Sequence, residues 1–300
     1  MDMTQNKCCR HGASLRRRRR RRRKILRSII FSCSIIAVAV FVAVESSMIR
    51  SGDGRTNRYD VEAGNNTYDN AVIENSKISE KNKIQNNQSM LDDIMNSTQY
   101  PKQLKDLALK NEEALEFVYD YPAEHVKEHT IDLTEEASMD SVPLFVQWDK
   151  RWGYEKYSGN FFAASGCGPT TLSMVVVYLT HNREASPIAV AKYSKEAGYS
   201  VDGSGSSWTL ISEGCRHYGV KAKTVALDES RMKAELDEGH PIVVNVGPGD
   251  FTDTGHFMVI TGYDDEGFSI NDPNSIEKSG KRWLFKNISS QIRAVWSMYV

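Results

Sequence analysis

Cys167 sits in the string Ala164-Ser165-Gly166-Cys167-Gly168-Pro169-Thr170-Thr171, between two glycines and just before a proline and an apolar run. Proline suits the first helical positions, where its missing N–H costs nothing, so the spacing predicts a helix from Cys167 to about Thr180. Unpaired backbone N–H groups and the positive end of the helix dipole favour thiolate over thiol at that place, and thiolate is the nucleophile. Lacking side chains, Gly166 and Gly168 are expected to leave a carbonyl free to approach the sulfur. The same string also fits a small buried cysteine in a glycine-rich turn, so the choice rests on its partners.

A thiolate nucleophile needs an imidazole to form the ion pair and protonate the leaving group, and a third group to orient that imidazole. His256 opens an apolar strand after Gly255, and Asp272 closes the next strand before Pro273. Whether they meet is a question of register. An odd loop, such as Tyr263 to Gly267, is expected to set Asp272 opposite Met258 and on the face of His256, whereas an even loop separates them. His240, at the entrance of the strand beginning at Pro241, is the other candidate imidazole and has no evident carboxylate partner. Gln147, twenty residues before Cys167, can offer a side-chain N–H to an oxyanion, or it can be a buried glutamine bonded to backbone.

A metal-based alternative is written in His125-Val126-Lys127-Glu128-His129, which fits the His-x-x-Glu-His pattern of zinc peptidases if His125 and His129 share a helix face. Two solvated histidines in a connector fit the same letters. No other metal or cofactor pattern is expected.

The scaffold around these groups is read from periodicity and punctuation. Leu104, Leu107, Ala108, Leu115 and Val118 predict two short helices, Gln103 to Lys110 and Glu112 to Tyr119, with Asn111 as a cap and Tyr121-Pro122 as the end. Val142 to Gln147 reads as a short strand. Helices are expected at Pro187 to Ala197, Trp208 to Tyr218 and Asp228 to Asp237, with strands at Thr224 to Ala226, Pro241 to Val246, Gly255 to Tyr263 and Phe268 to Pro273. Helices first and strands later is the α+β pattern of a helical layer on an antiparallel sheet. Cys215 falls on the apolar side of its helix and reads as a small buried hydrophobe rather than a disulfide partner.

Of the 38 Lys and Arg and 39 Asp and Glu, 13 basic and 2 acidic residues lie in the first fifty positions, so a nearly neutral chain is two oppositely charged pieces. The acidic remainder argues against a nucleic-acid partner, which would need clustered Lys and Arg. Arg16 to Lys24 lead into Ser28 to Val44, seventeen residues without a charge. The basic block is expected to stay cytoplasmic and the apolar stretch to span the membrane or act as an uncleaved signal anchor, with cleavage after Ala37-Val38-Ala39 as the rival reading. The expected organisation is a basic tail 1–24, a transmembrane helix 25–45, a disordered polar stalk 46–99, a helical arm 100–140 and an extracellular domain 141–300.

Gln147-Trp148-Asp149, Ser165-Gly166-Cys167-Gly168-Pro169-Thr170, Gly255-His256-Phe257 and Asn271-Asp272-Pro273 resemble, in order and spacing, the motifs of exported relatives of the double-glycine bacteriocin-leader peptidases. The arm segment Phe117-Val118-Tyr119-Asp120-Tyr121-Pro122 is similar to the segment that precedes the domain in these relatives. The resemblance implies a papain-like cysteine peptidase fold acting on a peptide or protein. It makes Cys167 the nucleophile, His256 the general acid and base, Asp272 the orienting residue and Gln147 the oxyanion-hole residue. It leaves a noncatalytic peptide- or wall-binding domain of the same fold as the alternative. The chain has one apolar span and no Gly-Lys-Ser/Thr phosphate loop, so the ATP-driven transporter of the classical members is not expected.

Overall fold

The computed structural model describes residues 65–300, with side chains from residue 81 onward. The expected tail 1–24 and transmembrane helix 25–45 lie outside the described residues, and among those described no helix is long and apolar enough to cross a membrane. The chain divides into two units, Met1–Val72 and Ile73–Val300, and the arm, the sheet and the central helix all belong to the second.

Asn65–Asn96 is a single helix where composition pointed to a disordered stalk over 46–99. Its polar sequence gives it little intrinsic stability, and packing of its last turns supplies the difference. Ile94 is fully buried with Leu104, Leu107, Leu115, Phe117 and Val118, while Met90 and Leu91 cover the edge of that cluster. The arm follows the expected spacing: a helix at Lys102–Lys110, a 3-10 turn at Glu112–Ala114 and a helix at Leu115–Tyr119. Asn111 caps the turn by accepting the Glu113 N–H at 3.0 Å. Pro122 does not end the arm. It sits in the first turn of a further short helix, Tyr121–Glu124, where its missing N–H is not needed.

Val142 to Gln147 forms no strand, in contrast to the expectation. Its carbonyls at Val142 and Pro143 accept from the Asn271 side chain at 3.1 and 3.0 Å, so this segment is held by a side chain instead of a ladder. Two small hairpins, β1 (Lys156–Tyr157) with β2 (Asn160–Phe161) and β3 (Ser200–Val201) with β4 (Gly205–Ser206), lie to either side of the central helix Cys167–Thr180 in sequence. The Pro187–Glu196 helix is capped by Ser186. The single helix expected over Trp208 to Tyr218 is broken into Thr209–Ser212 and a 3-10 turn, Gly214–Tyr218. Gly214 is where the chain comes close to Tyr199, whose ring would lie 3.0 Å from an added Cβ.

The remaining strands are β5 (Lys221–Thr224), β6 (Ile242–Val246), β7 (His256–Asp264), β8 (Gly267–Asn271), β9 (Arg282–Trp283) and β10 (Ile292–Tyr299), in one antiparallel sheet of order β5-β10-β6-β7-β8-β9. All five residues of β6 are buried because both sheet faces are covered. Val243, Phe257, Val259 and Met298 pack with the central helix residues Leu172, Val175 and Val176. Val244, Met258, Ile260 and Ile270 pack on the opposite side with Met232, from the Glu229–Asp237 helix, and Ile288. The α+β expectation of helices against an antiparallel sheet is met, with helical cover on both faces.

Candidate active site

The central helix begins at Cys167 with Gly166 as its N-cap residue, as the Gly-Cys-Gly-Pro spacing required. Its first turn is anchored to the sheet by Thr171, whose hydroxyl donates to the Phe257 carbonyl at 3.1 Å, one residue beyond His256. That bond sets the amino end of the helix beside the start of β7. The flanking glycines do something other than clear a path. An added Cβ at Gly166 would lie 2.6 Å from the Phe162 ring, and one at Gly168 would lie 2.5 Å from Ser206 Oγ. They let the helix start pack against its own preceding turn and the β4 hairpin.

His256 Nε2 and Asp272 Oδ1 are 2.7 Å apart, with His256 buried and Asp272 wholly so. The register behind this contact differs from expectation. β7 and β8 are joined by a two-residue loop, since Asp264 pairs with Gly267, and an even loop would put the two groups on opposite faces. Between Ile260 and Gly262 the register shifts, leaving Thr261 unpaired, so that Val259 pairs with Asn271. The bulge restores the parity that places Asp272 on the face of His256.

With Nε2 given to Asp272, the other ring nitrogen is left for the sulfur. Burial alone would push the Cys167 thiol up, but the hydrogen bond and charge of His256, aided by backbone hydrogen bonds from Phe257 and Gly168, hold it below the ordinary thiol range. Burial alone would favour a neutral His256. The charge and hydrogen bond of Asp272, and then those of Cys167, outweigh it and raise the imidazole to about 10. The arrangement therefore favours a thiolate and imidazolium pair. Cys167 keeps partial exposure, while Cys215 is fully buried, unpaired, and pushed up to about 11 by that burial.

Gln147 bridges the two halves of the site. Its backbone N–H donates to the Pro273 carbonyl at 2.7 Å, next to Asp272, and its Nε2 donates to the Ala163 carbonyl at 2.7 Å, on the turn leading to Cys167. Both readings of this residue hold at once: it is buried and bonded to backbone, and a second amide N–H remains for an incoming oxygen. Asn274 carries no signal of its own in the sequence, yet its backbone N–H donates to Asp272 Oδ1 at 2.8 Å. The clue lies in the turn chemistry of Asp272-Pro273-Asn274-Ser275.

The other candidates are drawn elsewhere. His125 lies just past the helix ending at Glu124, with Nδ1 2.6 Å from the Tyr121 carbonyl oxygen and its ring stacked on Tyr121. His129 Nε2 lies 3.2 Å from the Glu124 carbonyl oxygen, and the helix face that a His-x-x-Glu-His site requires does not form over 125–129. Among the described residues no group of three or more potential ligands is arranged for a metal. His240, read from sequence as lacking a carboxylate partner, has one: Glu235 Oε2 is 3.1 Å from its Nδ1. Glu235 also accepts from Lys223 and Ser297, which makes this pair part of a network on the β5 and β10 edge.

The model of the Peptidase_C39 like family matches residues 139–300. The chain belongs to that family. The C39-like match accounts for more than half of the chain and contains Cys167, His256, Asp272 and Gln147, while the arm lies upstream of it. Among solved structures, the peptidase domain of Streptococcus ComA, a bi-functional ABC transporter involved in a quorum sensing pathway, is 20% identical, with 45% of this chain and 90% of that chain covered at a TM-score of 0.36. A crystal structure assigned as a C39-like peptidase from Bacillus anthracis is 16% identical, covering 53% of this chain and 95% of that chain at a TM-score of 0.34. No curated protein matches the chain. The C39-like chain thus has the mixed helix and sheet fold of papain-like cysteine peptidases.

Proposed function

We propose that this C39-like chain is an active cysteine peptidase or thiol-dependent amide hydrolase, with Cys167 as nucleophile, His256 as acid and base, Asp272 as orienting carboxylate and Gln147 as oxyanion donor. The observation that carries the reading is the chain of contacts from Asp272 through His256 to a thiol held below its ordinary range at a helix amino end. The thiolate adds to the scissile carbonyl carbon, forming the C–S bond and an oxyanion that the free amide N–H of Gln147 and the unpaired N–H groups of the first helical turn can receive. His256 gives its proton to the leaving nitrogen as the C–N bond breaks. Water then attacks the thioester with His256 taking its proton, releasing the acid and returning the thiol. Pro169 has no N–H, so only Cys167 and Gly168 can donate from the start of that turn.

The reading includes a membrane anchor at 25–45 with 1–24 cytoplasmic and the peptidase domain outside. Its support is the block Arg16 to Lys24 beside seventeen uncharged residues, a cationic cluster whose transfer across the membrane is opposed at every charge. Incubating the full chain with a peptide library and mapping new amino termini tests the activity. Cleavage lost on Cys167→Ala and His256→Ala supports it, and intact peptides with a folded parent protein would leave a binding domain. Protease added to intact cells tests the orientation by removing the domain and sparing the tail.

A further inference from the structure

The turn that carries Asp272 is gripped by residues outside the family match. Asn111 and Glu113 belong to the arm, upstream of residue 139. Asn111 Nδ2 donates to the Asn274 carbonyl at 2.9 Å and to its Oδ1 at 3.1 Å, while Asn111 Oδ1 accepts the Glu113 N–H. The Glu113 carboxylate accepts from the Ser275 hydroxyl, from the Ile276 N–H at 2.7 Å and from the Glu277 N–H at 3.1 Å. One end of the turn is thus fixed through Asn274 and the other through Ser275 to Glu277.

These contacts bear on Asp272 because its orientation has few other determinants. Its Oδ1 takes both the His256 ring and the Asn274 N–H, and its Oδ2 is buried with no partner. The Ser279 hydroxyl accepts the Asp272 backbone N–H at 2.9 Å, and Ser279 lies on the short helix Ile276–Ser279 whose first N–H groups Glu113 holds. A shift of that turn moves Asn274, and Asn274 steers the one oxygen that meets His256. The Asn274 carbonyl also accepts from Trp148 Nε1 at 3.2 Å, so it loses only one of two donors when Asn111 is shortened.

We propose that the helical arm is a working part of the site, with Asn111 and Glu113 as positioning residues that keep Asp272 on His256. The proposal rests on the reading of Cys167, His256 and Asp272 as the reacting group. The arm has its own apolar cluster, Leu104, Leu107, Leu115, Phe117 and Val118 among others, so it stays docked when either polar residue is changed. What changes is the hold on the carboxylate. A loosened Asp272 no longer offsets the burial of His256, and the imidazolium gives up its proton at lower pH.

The test is the titration of His256 followed by nuclear magnetic resonance in full-length protein with labelled histidine, its signal assigned by His256→Gln. Asp272→Asn sets the full downward shift. Glu113→Ala is expected to lower the midpoint by about one pH unit, a tenfold weaker proton affinity, with Glu113→Gln, which keeps an acceptor, and Asn111→Ala each shifting it less. The thermal midpoint of each variant is read alongside, and if Glu113→Ala does not fold, the other two carry the comparison. An unchanged His256 titration in folded variants overturns the positioning role alone. A parent His256 that titrates in the ordinary imidazole range, or is indifferent to Cys167→Ser, overturns the ion pair and the positioning role with it.

Discussion

Asp272 meets His256 because Thr261 stands outside the ladder between β7 and β8. The hairpin closes on a two-residue loop whose parity would carry Asp272 opposite Val259, and the extra residue moves it opposite Met258, on the His256 face. A single unpaired residue, far along the strand from either group, thus decides whether the imidazole has a carboxylate. Deleting Thr261 is expected to abolish peptide cleavage while the sheet still forms. Circular dichroism and cleavage of a mapped peptide check this, and retained activity would mean the register recovers by another route.

Replacing the residues of the site should rank them by role. Cys167→Ala and His256→Ala remove groups that make and break bonds, whereas Asp272→Ala removes orientation, so its loss of turnover should be roughly one to two orders of magnitude smaller. Steady-state rates on one peptide under one condition give the ranking.

Gln147→Ala is expected to cost about 10²-fold or more in turnover, the usual size of losing one oxyanion donor. Because Gln147 also donates to the Ala163 carbonyl, the variant should show a lower melting point as well. Gln147→Glu, which keeps the length and loses the donors, separates the two effects: turnover should remain low whatever the stability.

The dependence on pH comes from two shifts of opposite sense. Cys167 lies below its ordinary range and His256 above its own, at about 10, so the thiolate and imidazolium coexist between them. Turnover should rise as pH climbs through the Cys167 value, hold a plateau across neutrality, and fall as pH passes the His256 value and the leaving group loses its proton donor. Cys215→Ser should leave that profile unmoved, since Cys215 is buried and pushed up to about 11. A profile centred on the ordinary thiol value would contradict the pairing.

Gly168→Ala tests the packing at the helix start. Its Cβ would meet Ser206 Oγ at 2.5 Å and Ser206 Cβ at 2.7 Å, and Ser206 is tied to the Tyr157 hydroxyl at 2.6 Å. Overpacking of this kind typically costs about 1–3 kcal/mol, so the melting point should drop and the Cys167 geometry with it. Gly168→Ala combined with Ser206→Gly should recover most of the loss.

Much of the site is legible in its residues. Gly-Cys-Gly-Pro marks the start of the central helix because proline and glycine act locally, and the apolar runs around His256 and Asp272 locate their strands. The bulge is harder to read, although Gly262 inside a strand pattern is the kind of residue that marks one. The segment before Gln147 has the look of a strand because a side-chain anchor such as Asn271 leaves no trace in periodicity. The helix Asn65–Asn96 is hidden by its polar composition, and its packing through Ile94 depends on residues of the arm. Asn111 and Glu113 read as ordinary cap and first-turn residues, and their contacts with Asn274, Ser275 and Ile276 cross more than 160 positions of sequence.

If Cys167 carries a thiolate held by His256, the ion pair is visible in the thiolate ultraviolet absorbance of the parent protein minus that of Cys167→Ser across pH. The expected result is a difference already present at near-neutral pH and lost there in His256→Ala. A difference that arises only in the ordinary thiol range, and is the same with and without His256, would contradict the pairing on which the whole mechanism depends.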